Sequence, residues 1–171
     1  MTERLDREFY TRDVLEVAPA LLGKQLVRVW PDGSQSRYVI SETEAYRGGD
    51  DLACHASKGL TPRTRVMFGE GGYLYMYLIY GMHWMMNVVT ALEGVPQAVL
   101  FRGLREASGP GRLSRLLQVD KDFYGEDLVH SERIWIEDPG AEVSYSTGPR
   151  VGIDYAGHPW KDKAWRYLMN L

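Results

Sequence analysis

Residues 73–90 read YLYMYLIYGMHWMMNVVT, and this stretch decides the fold class. The runs 73–79 and 82–90 are rich in aromatic and aliphatic residues, which is typical of β-strands. Between them, Tyr80 and Gly81 fit a two-residue hairpin turn in which glycine takes the positive φ. Because side chains alternate along a strand, one face of the first run carries a row of rings: Tyr73, Tyr75 and Tyr77. The stretch therefore predicts an antiparallel hairpin with Tyr80 at its tip.

The remaining chain adds further short strands and few helices. Residues 24–30 and 37–44 predict a second hairpin, residues 97–104 a further strand, and the leucine spacing after Gly109 a helix. With 171 residues, one domain is expected. We predict an α/β (α+β) fold: a single compact domain over 1–171, a curved, mostly antiparallel sheet with flanking helices and a protruding β-hairpin. Residues 1–10 are read as an N-terminal arm.

Composition restricts the class of protein. Charged residues make up 25% and hydrophobic residues 44% of the chain, which is ordinary for a soluble globular domain. The single cysteine, Cys54, excludes an internal disulfide framework. The first residues are charged and no 18-residue apolar run occurs, so we expect neither a signal peptide nor a membrane span. Cytoplasm is the expected compartment.

The net charge of -3 conceals an uneven distribution. Residues 58–115 carry an excess of Lys and Arg, whereas residues 116–142 carry an excess of Asp and Glu. Phosphate binding is usually driven by a basic surface, which the total charge does not indicate. A basic face opposite an acidic one would still let the protein bind a polyanion locally.

Two carboxylates and one histidine are candidate catalytic residues. Glu42 and Glu44 are two residues apart on a predicted strand and share a face, although both could simply be solvated at a sheet edge. His55 could be an ordinary loop histidine, and its neighbour Cys54 makes only a superficial Cys/His dyad, because adjacent side chains point in different directions. No His or Cys spacing indicates a metal site, so no metal ligand is predicted.

Tyr80 and Arg102 have both a structural and a functional interpretation. The tyrosine row could be core packing, but a large ring at a hairpin tip is difficult to bury, and an exposed ring on a stiff support can wedge into a base stack. Arg102 follows an apolar run, so it could be a surface charge or a half-buried cation with a carboxylate partner.

The chain resembles the alkyladenine (3-methyladenine) DNA glycosylase family of base-excision repair, as a bacterial member. The resemblance extends from about residue 9 to 167. The motifs that carry it, in order, are ETEAY at 42–46 with His55 nine residues later, TPRTR at 61–65, MF at 67–68, YMYLIYGM at 75–82 with Asn87, LFR at 100–102 and SGP at 108–110.

The resemblance implies a monofunctional hydrolase of N-glycosyl bonds. Glu44 matches the carboxylate that activates the water, Arg102 the arginine that holds this water or the adjacent phosphate, and His55 a contact to the sugar-phosphate and the base. Cleavage of a glycosidic bond develops oxocarbenium character at the sugar, for which a carboxylate base is suited. Because no lysine stands among the site positions, the expected product is an abasic site without strand cleavage.

The resemblance also implies how DNA is bound. The damaged purine is flipped out of the duplex and stacked between Tyr46 and His55 on one side and Tyr77 on the other, and Asn87 crowds the guanine amino group. Further implied contacts are intercalation by Tyr80 and Met82 and binding of the DNA backbone by Arg63 and Arg65.

The implied partner is double-stranded DNA containing damaged purines, bound by a monomer associated with the nucleoid, with no membrane and no cofactor. The removed bases would be alkylated or deaminated purines. The alternative function is a non-catalytic binder of damaged or distorted DNA that keeps the wedge and the aromatic pocket. A third, weaker interpretation is a small-molecule nucleoside hydrolase, which assigns no role to Tyr80.

Overall fold

A computed structural model describes residues 2–170, so the outermost residues of the predicted 1–171 domain, 1 and 171, lie outside the described part. In chain order the strands and α-helices are β1 (Glu3–Arg4), α1 (Arg7–Tyr10), α2 (Val14–Ala20), β2 (Gln25–Val29), β3 (Gln35–Tyr46), β4 (Leu74–Ile79), β5 (His83–Thr90), β6 (Gln97–Leu104), β7 (Ala107–Ser108), α3 (Pro110–Leu117), β8 (Ile134–Asp138), β9 (Tyr145–Gly148) and β10 (Arg166–Met169). Short 3-10 helices lie at His55–Lys58, Arg65–Phe68, Lys121–Phe123, Asp154–Ala156 and Trp160–Asp162.

The described strands form one ten-stranded antiparallel sheet with the central order β1-β8-β2-β3-β6-β5-β4. All of the described strand pairs are antiparallel. The consecutive pairs β2–β3, β4–β5 and β5–β6 are joined by turns or loops, as antiparallel neighbours can be. The sheet is not closed, and its few helices pack on it. The predicted α+β fold with a mostly antiparallel sheet is therefore confirmed.

The predicted hairpin is present as β4 and β5, but its turn is one residue longer than expected. Ile79 pairs with His83, so Tyr80, Gly81 and Met82 all lie outside the ladder. Tyr80 and Gly81 have φ values of 53° and 66°, and the Met82 N–H closes the turn on the Ile79 carbonyl at 3.1 Å. Met82 consequently belongs to the tip instead of starting the strand.

The second predicted hairpin is also present, as β2 and β3. Strand β3 continues past the predicted end at residue 44 to Tyr46, because β6 pairs with it as far as Tyr46 and β10 pairs with it at Glu44. Glu44 is therefore inside the sheet, with a strand on each side. This position excludes the reading in which it is solvated at a sheet edge.

The main core lies between the sheet and the helices α2 and α3. The helices contribute apolar side chains that are fully buried, among them Val14, Val17, Leu113 and Leu117. The opposite face of β4 carries Tyr75 and Tyr77, which pack in a separate cluster with residues around Cys54. One face of the hairpin thus stabilises the fold, and the other is left to form a site.

The two ends of the chain differ from the sequence-based expectation. The segment read as an arm contains β1, which pairs with β8, and α1, whose Tyr10 is completely buried. Strands β9 and β10 were not predicted, and β10 bonds to β3 beside Glu44. In residues 2–170 no helix has both the length and the apolar character needed to cross a membrane.

Candidate active site

Glu44 lies near the end of β3 with its side chain completely buried. Its Oε1 accepts a hydrogen bond of 2.9 Å from the Tyr46 hydroxyl, and its Oε2 accepts one of 2.7 Å from the main-chain N–H of Val151. Nε of Arg102 on β6 lies 3.7 Å from Oε2. The carboxylate is thus held from β3, from β6 and from the loop after β9.

Burial raises the pKa of Glu44 above its ordinary value, because desolvation destabilises the charged carboxylate. The Val151 N–H, the Arg102 guanidinium and the Tyr46 hydroxyl lower the pKa, since each stabilises the charged form. The net direction is upward. A fixed carboxylate with a raised pKa is well suited to act as a general base near neutral pH.

Arg102 is anchored by a second carboxylate. Its Nε lies 3.1 Å from Oε2 of Glu42, and the same oxygen accepts a 2.7 Å hydrogen bond from Nε of Arg166 on β10. Glu42 and Glu44 both contact Arg102, so they share a face of β3 as predicted. The interpretation of Arg102 as a partly buried cation with a carboxylate partner is confirmed, because its side chain is only 20% exposed.

An arginine that the sequence did not single out lies behind Tyr46. Arg150 forms a salt bridge with Asp51 at 2.6 and 3.0 Å, and both side chains are completely buried. Its guanidinium carbon lies 4.8 Å from the centre of the Tyr46 ring, and Nη1 donates to the Ala45 carbonyl at 3.0 Å. Arg150 therefore contacts β3 at the residue between Glu44 and Tyr46.

His55 and two tyrosines of β4 form a cluster of rings. Nδ1 of His55 lies 2.8 Å from the Tyr75 hydroxyl, and the His55 ring contacts Tyr77 edge to face, with 4.5 Å between the ring centres. This spacing leaves no room for another ring between His55 and Tyr77. The base sandwich implied by the resemblance is consequently not open in this structure.

His55 is expected to remain neutral at pH 7. Burial, together with the smaller effect of the positive charges of Arg63 and Lys58, lowers the pKa of its imidazole to about 4. In the unfolded chain the ring titrates near 6.5, so His55 makes the free energy of unfolding fall as the pH decreases from 6.5 to about 4. An NMR titration of the imidazole signals measures the pKa directly.

In this titration, Arg63→Gln should raise the His55 pKa but leave it below 6.5, because burial is the larger cause. Arg37→Gln serves as the control, because it removes an exposed charge that pairs with Glu137. It should leave the His55 pKa unchanged. A midpoint near 6.5 in the unmodified protein would contradict the burial of the ring.

Six of the predicted site residues line one cleft with a volume of about 580 Å³. Its walls include Glu44, Tyr46, His55, Tyr77, Tyr80 and Arg102. A cavity of only about 40 Å³ shares Tyr46, His55 and Tyr77 with this cleft and is also lined by Asn87. Since 40 Å³ is room for little more than a few waters, a purine could enter the cavity only if these rings separate.

The hairpin tip projects from the mouth of the cleft. Tyr80 is 88% exposed and Met82 is 67% exposed. The left-handed backbone of Tyr80, with φ of 53°, costs a non-glycine residue on the order of 1 kcal/mol. A large exposed ring on a strained turn is unfavourable for the isolated fold, so it indicates a contact with another molecule.

Asn87 on β5 is buried and rigidly oriented. Its Nδ2 donates to the main-chain carbonyls of Tyr75 at 3.1 Å and Met85 at 3.4 Å. The side chain lines the inner cavity in a fixed orientation. It can therefore exclude or contact a substituent of a bound ring without moving.

The two arginines predicted to bind the DNA backbone have different surroundings. Both are exposed. The Arg63 guanidinium lies 5.4 Å from the centre of the Tyr77 ring, whereas Arg65 lies 5.6 Å from that of Tyr124. Arg63 is thus adjacent to a ring of the cleft, and neither arginine is among the residues that line it.

Cys54 does not have the environment of a nucleophile. Burial raises the pKa of its thiol to about 11, so it is protonated at neutral pH. Among residues 2–170 no three His, Cys, Asp or Glu side chains are grouped so that they could hold a metal ion.

The residues missed by sequence reasoning belong to segments distant from the motif stretch. Val151, Arg150 and Tyr155 reach the site from the loop and 3-10 helix between β9 and β10. Around them the sequence Gly148-Pro149-Arg150-Val151-Gly152 indicates only a turn. No local pattern shows that this turn contacts β3.

Comparison with known proteins identifies a family that covers nearly the whole chain. A family model described as Methylpurine-DNA glycosylase (MPG) matches residues 8–107 and 105–170. Three similar proteins are each named "putative 3-methyladenine DNA glycosylase". One from Methanocella arvoryzae is 44% identical over 92% of this chain and 90% of its own length. One from Legionella pneumophila strain Corby is 44% identical over 97% and 94%, respectively. One from Anaeromyxobacter dehalogenans is 47% identical over 97% and 83%.

Proposed function

The chain belongs to the methylpurine-DNA glycosylase family, and from this premise we propose that it excises alkylated or deaminated purines from duplex DNA. In the proposed reaction the damaged nucleotide flips out of the helix into the cleft, and a water activated by Glu44 hydrolyses its N-glycosidic bond. The observation that carries the proposal is the buried Glu44 carboxylate, held by hydrogen bonds in the wall of a nucleotide-sized cleft beside an exposed aromatic tip.

Glu44 is the general base of this reaction. Its raised pKa favours uptake of a proton from water as the water attacks the sugar. The negative charge also stabilises the oxocarbenium character that develops as the base departs. The Glu44 side chain is buried and charged, and Arg102, at 3.7 Å, neutralises it only partly. Such a buried charge destabilises the folded state, and its role in catalysis explains why it is present.

Arg102 assists from β6, the strand that pairs with β3 beside Glu44. Because Glu42 fixes its Nε, its remaining N–H groups are held in a constant direction at the cleft. A rigid guanidinium beside Glu44 is suited to donate to the attacking water or to the phosphate next to the flipped sugar.

The base is bound by stacking on Tyr46 and Tyr77. These rings line both the cleft and the inner cavity, and His55 lies against the edge of Tyr77. Entry of a purine requires the side chains of His55 and Tyr77 to move apart. Side-chain rotamer changes of this kind are common when a partner binds. Stacking is worth about 1–3 kcal/mol per base and is stronger for a positively charged alkylated ring.

Asn87 sets the preference among purines. Its amide is fixed by two carbonyls, so it presents a rigid obstacle to the amino group of guanine. We expect Asn87→Ala to increase excision of 7-methylguanine relative to hypoxanthine about tenfold, since relief of one steric clash in a pocket is worth about this much. The two rate constants are measured in single-turnover reactions, and an unchanged ratio would argue against this role.

The exposed tip, Tyr80 with Met82, fills the space that the flipped nucleotide leaves, and Arg63 and Arg65 bind the phosphates beside it.

No lysine is among the residues that line the cleft, so we propose release of the base alone and an abasic product. All proposed contacts come from one chain, and we propose that it acts as a monomer.

The direct test is single-turnover release of base from duplex oligonucleotides that contain hypoxanthine, ethenoadenine or a methylated purine. Release of the free base with an intact abasic strand supports the proposal. Tight binding of these duplexes without release from any of them would favour a non-catalytic binder of damaged DNA. Release from free nucleosides that does not depend on salt would favour a nucleoside hydrolase.

A further inference from the structure

The shortest described hydrogen bond to the proposed base comes from a segment with no catalytic side chain. The main-chain N–H of Val151 donates to Oε2 of Glu44 at 2.7 Å, a shorter distance than the 3.7 Å from Arg102 to the same oxygen. Val151 is exposed and lies in the irregular loop between β9 and β10. Some other contact must hold this loop so that its N–H faces the carboxylate.

Arg150, the residue before Val151, supplies that contact. Its guanidinium donates to both oxygens of Asp51 and to the Ala45 carbonyl, and a weaker bond of 3.3 Å reaches the Trp160 carbonyl. It therefore joins the loop after β9 to strand β3 and to the loop that follows β3. Asp51 is itself fixed, because its oxygens accept from the main-chain N–H groups of Arg47 and Ala53.

A contribution to stability alone does not account for this pair. Two completely buried charges have a high desolvation cost, and packed apolar side chains of similar size are often at least as stable. What an arginine fork on a carboxylate provides, and apolar packing does not, is a fixed direction for the adjacent main chain. Here the adjacent main chain is the N–H that faces Glu44.

We propose that Arg150 and Asp51 are positioning residues, whose buried salt bridge holds the Val151 N–H against the Glu44 carboxylate and so keeps the base ionised in its buried position. The inference rests on the proposed role of Glu44. Neither Arg150 nor Asp51 lines the cleft, so they act through Val151 rather than on the substrate.

Other groups also determine the ionisation of Glu44. The charged side chains around it are Arg102 on β6, Glu42 on β3, Arg166 on β10 and Arg150 itself. The tyrosines around it are Tyr46 on β3, Tyr77 on β4 and Tyr155 in the 3-10 helix Asp154–Ala156. A test must therefore separate the orientation of the N–H from simple changes of charge.

Two substitutions make this separation, because charge and orientation predict different results. Arg150→Lys keeps the positive charge but loses the two-pronged contact, and Asp51→Asn removes a negative charge while keeping the shape. By charge alone, the first leaves the Glu44 pKa unchanged and the second lowers it. If the N–H is released, the carboxylate loses a donor in both variants, and the pKa rises in both.

The measurement is the single-turnover rate of hypoxanthine excision from duplex DNA between pH 5 and 9, with the protein saturating. We expect the acid limb of the profile to move to higher pH by about half a unit in both variants, which is about a threefold loss of rate below the limb. Well above the limb the rates should converge with that of the unmodified protein. Affinity for the lesion duplex should be unchanged.

Glu126→Gln is the matched control, because it weakens an ion pair with Arg133 that does not contribute to the cleft. It should lower the melting temperature without moving the limb. The inference is overturned if Asp51→Asn moves the limb to lower pH, if Arg150→Lys leaves it in place, if the rates fall equally at every pH, or if the control moves it as much. Absence of release by the unmodified protein would overturn the proposed function as well.

Discussion

Glu44→Gln is expected to slow base excision about 100- to 10,000-fold, the usual contribution of a positioned general base. Glutamine has the same size, and its carbonyl oxygen can keep the hydrogen bond from the Val151 N–H that holds Oε2 at 2.7 Å. Its neutral amide can neither accept a proton from water nor stabilise positive charge at the sugar. Single-turnover release from a lesion duplex measures the loss.

The same variant should bind the lesion duplex at least as tightly as the unmodified protein, because a negative charge near phosphates has been removed. Glu42→Gln is the comparison, since it removes the neighbouring carboxylate that anchors Arg102 but leaves the base in place. We expect it to reduce the rate less than about tenfold, as partly exposed ion pairs contribute little. Equal losses in both variants would mean that Glu44 acts only as part of an ion-pair network.

Tyr80→Ala is expected to lower excision from duplex DNA about 5- to 150-fold. The ring is 88% exposed in the free protein, so its removal costs no core packing. In the complex it replaces the stacking that the flipped nucleotide loses, which is worth about 1–3 kcal/mol. Without the ring, the nucleotide returns to the helix more readily and the fraction of flipped complexes falls.

Two controls isolate the wedge from a general effect on the hairpin. Tyr80→Phe keeps the ring and should remain within about twofold of the unmodified protein, because the hydroxyl does not stack. A lesion in single-stranded DNA has no pair to open, so Tyr80→Ala should have little effect on its excision. If the alanine variant loses as much activity on single strands as on duplexes, Tyr80 has a different role.

The sequence predicted the local features of this fold well. The alternation in β4 and β5, the turn at Tyr80 and the hairpin of β2 and β3 follow from patterns over a few residues, and the structure confirms them. The same locality explains the errors. The end of β3 and the extra residue in the hairpin turn depend on how neighbouring strands pair, which the local sequence does not encode.

The features of the candidate site likewise divide into those that the sequence predicted and those that depend on tertiary packing. The motif residues Glu44, His55, Tyr77 and Arg102 could be selected from the sequence because each carries suitable chemistry within a recognisable family pattern, and they meet in one cleft. The closed contact between His55 and Tyr77 could not be anticipated. Ring spacing depends on side-chain packing, and a motif does not specify packing.

By itself, therefore, the sequence determined the fold class, the exposed aromatic tip and the identity of the proposed base, since these depend on residue type and short-range spacing. Only the tertiary structure decided how that base is held. The donor to Glu44 is the main-chain N–H of Val151, 107 positions away, and the salt bridge beside it joins Arg150 to Asp51 across 99 positions. A main-chain donor has no side-chain signature, and such distant contacts form only when the whole sheet brings β3 and the loop after β9 together.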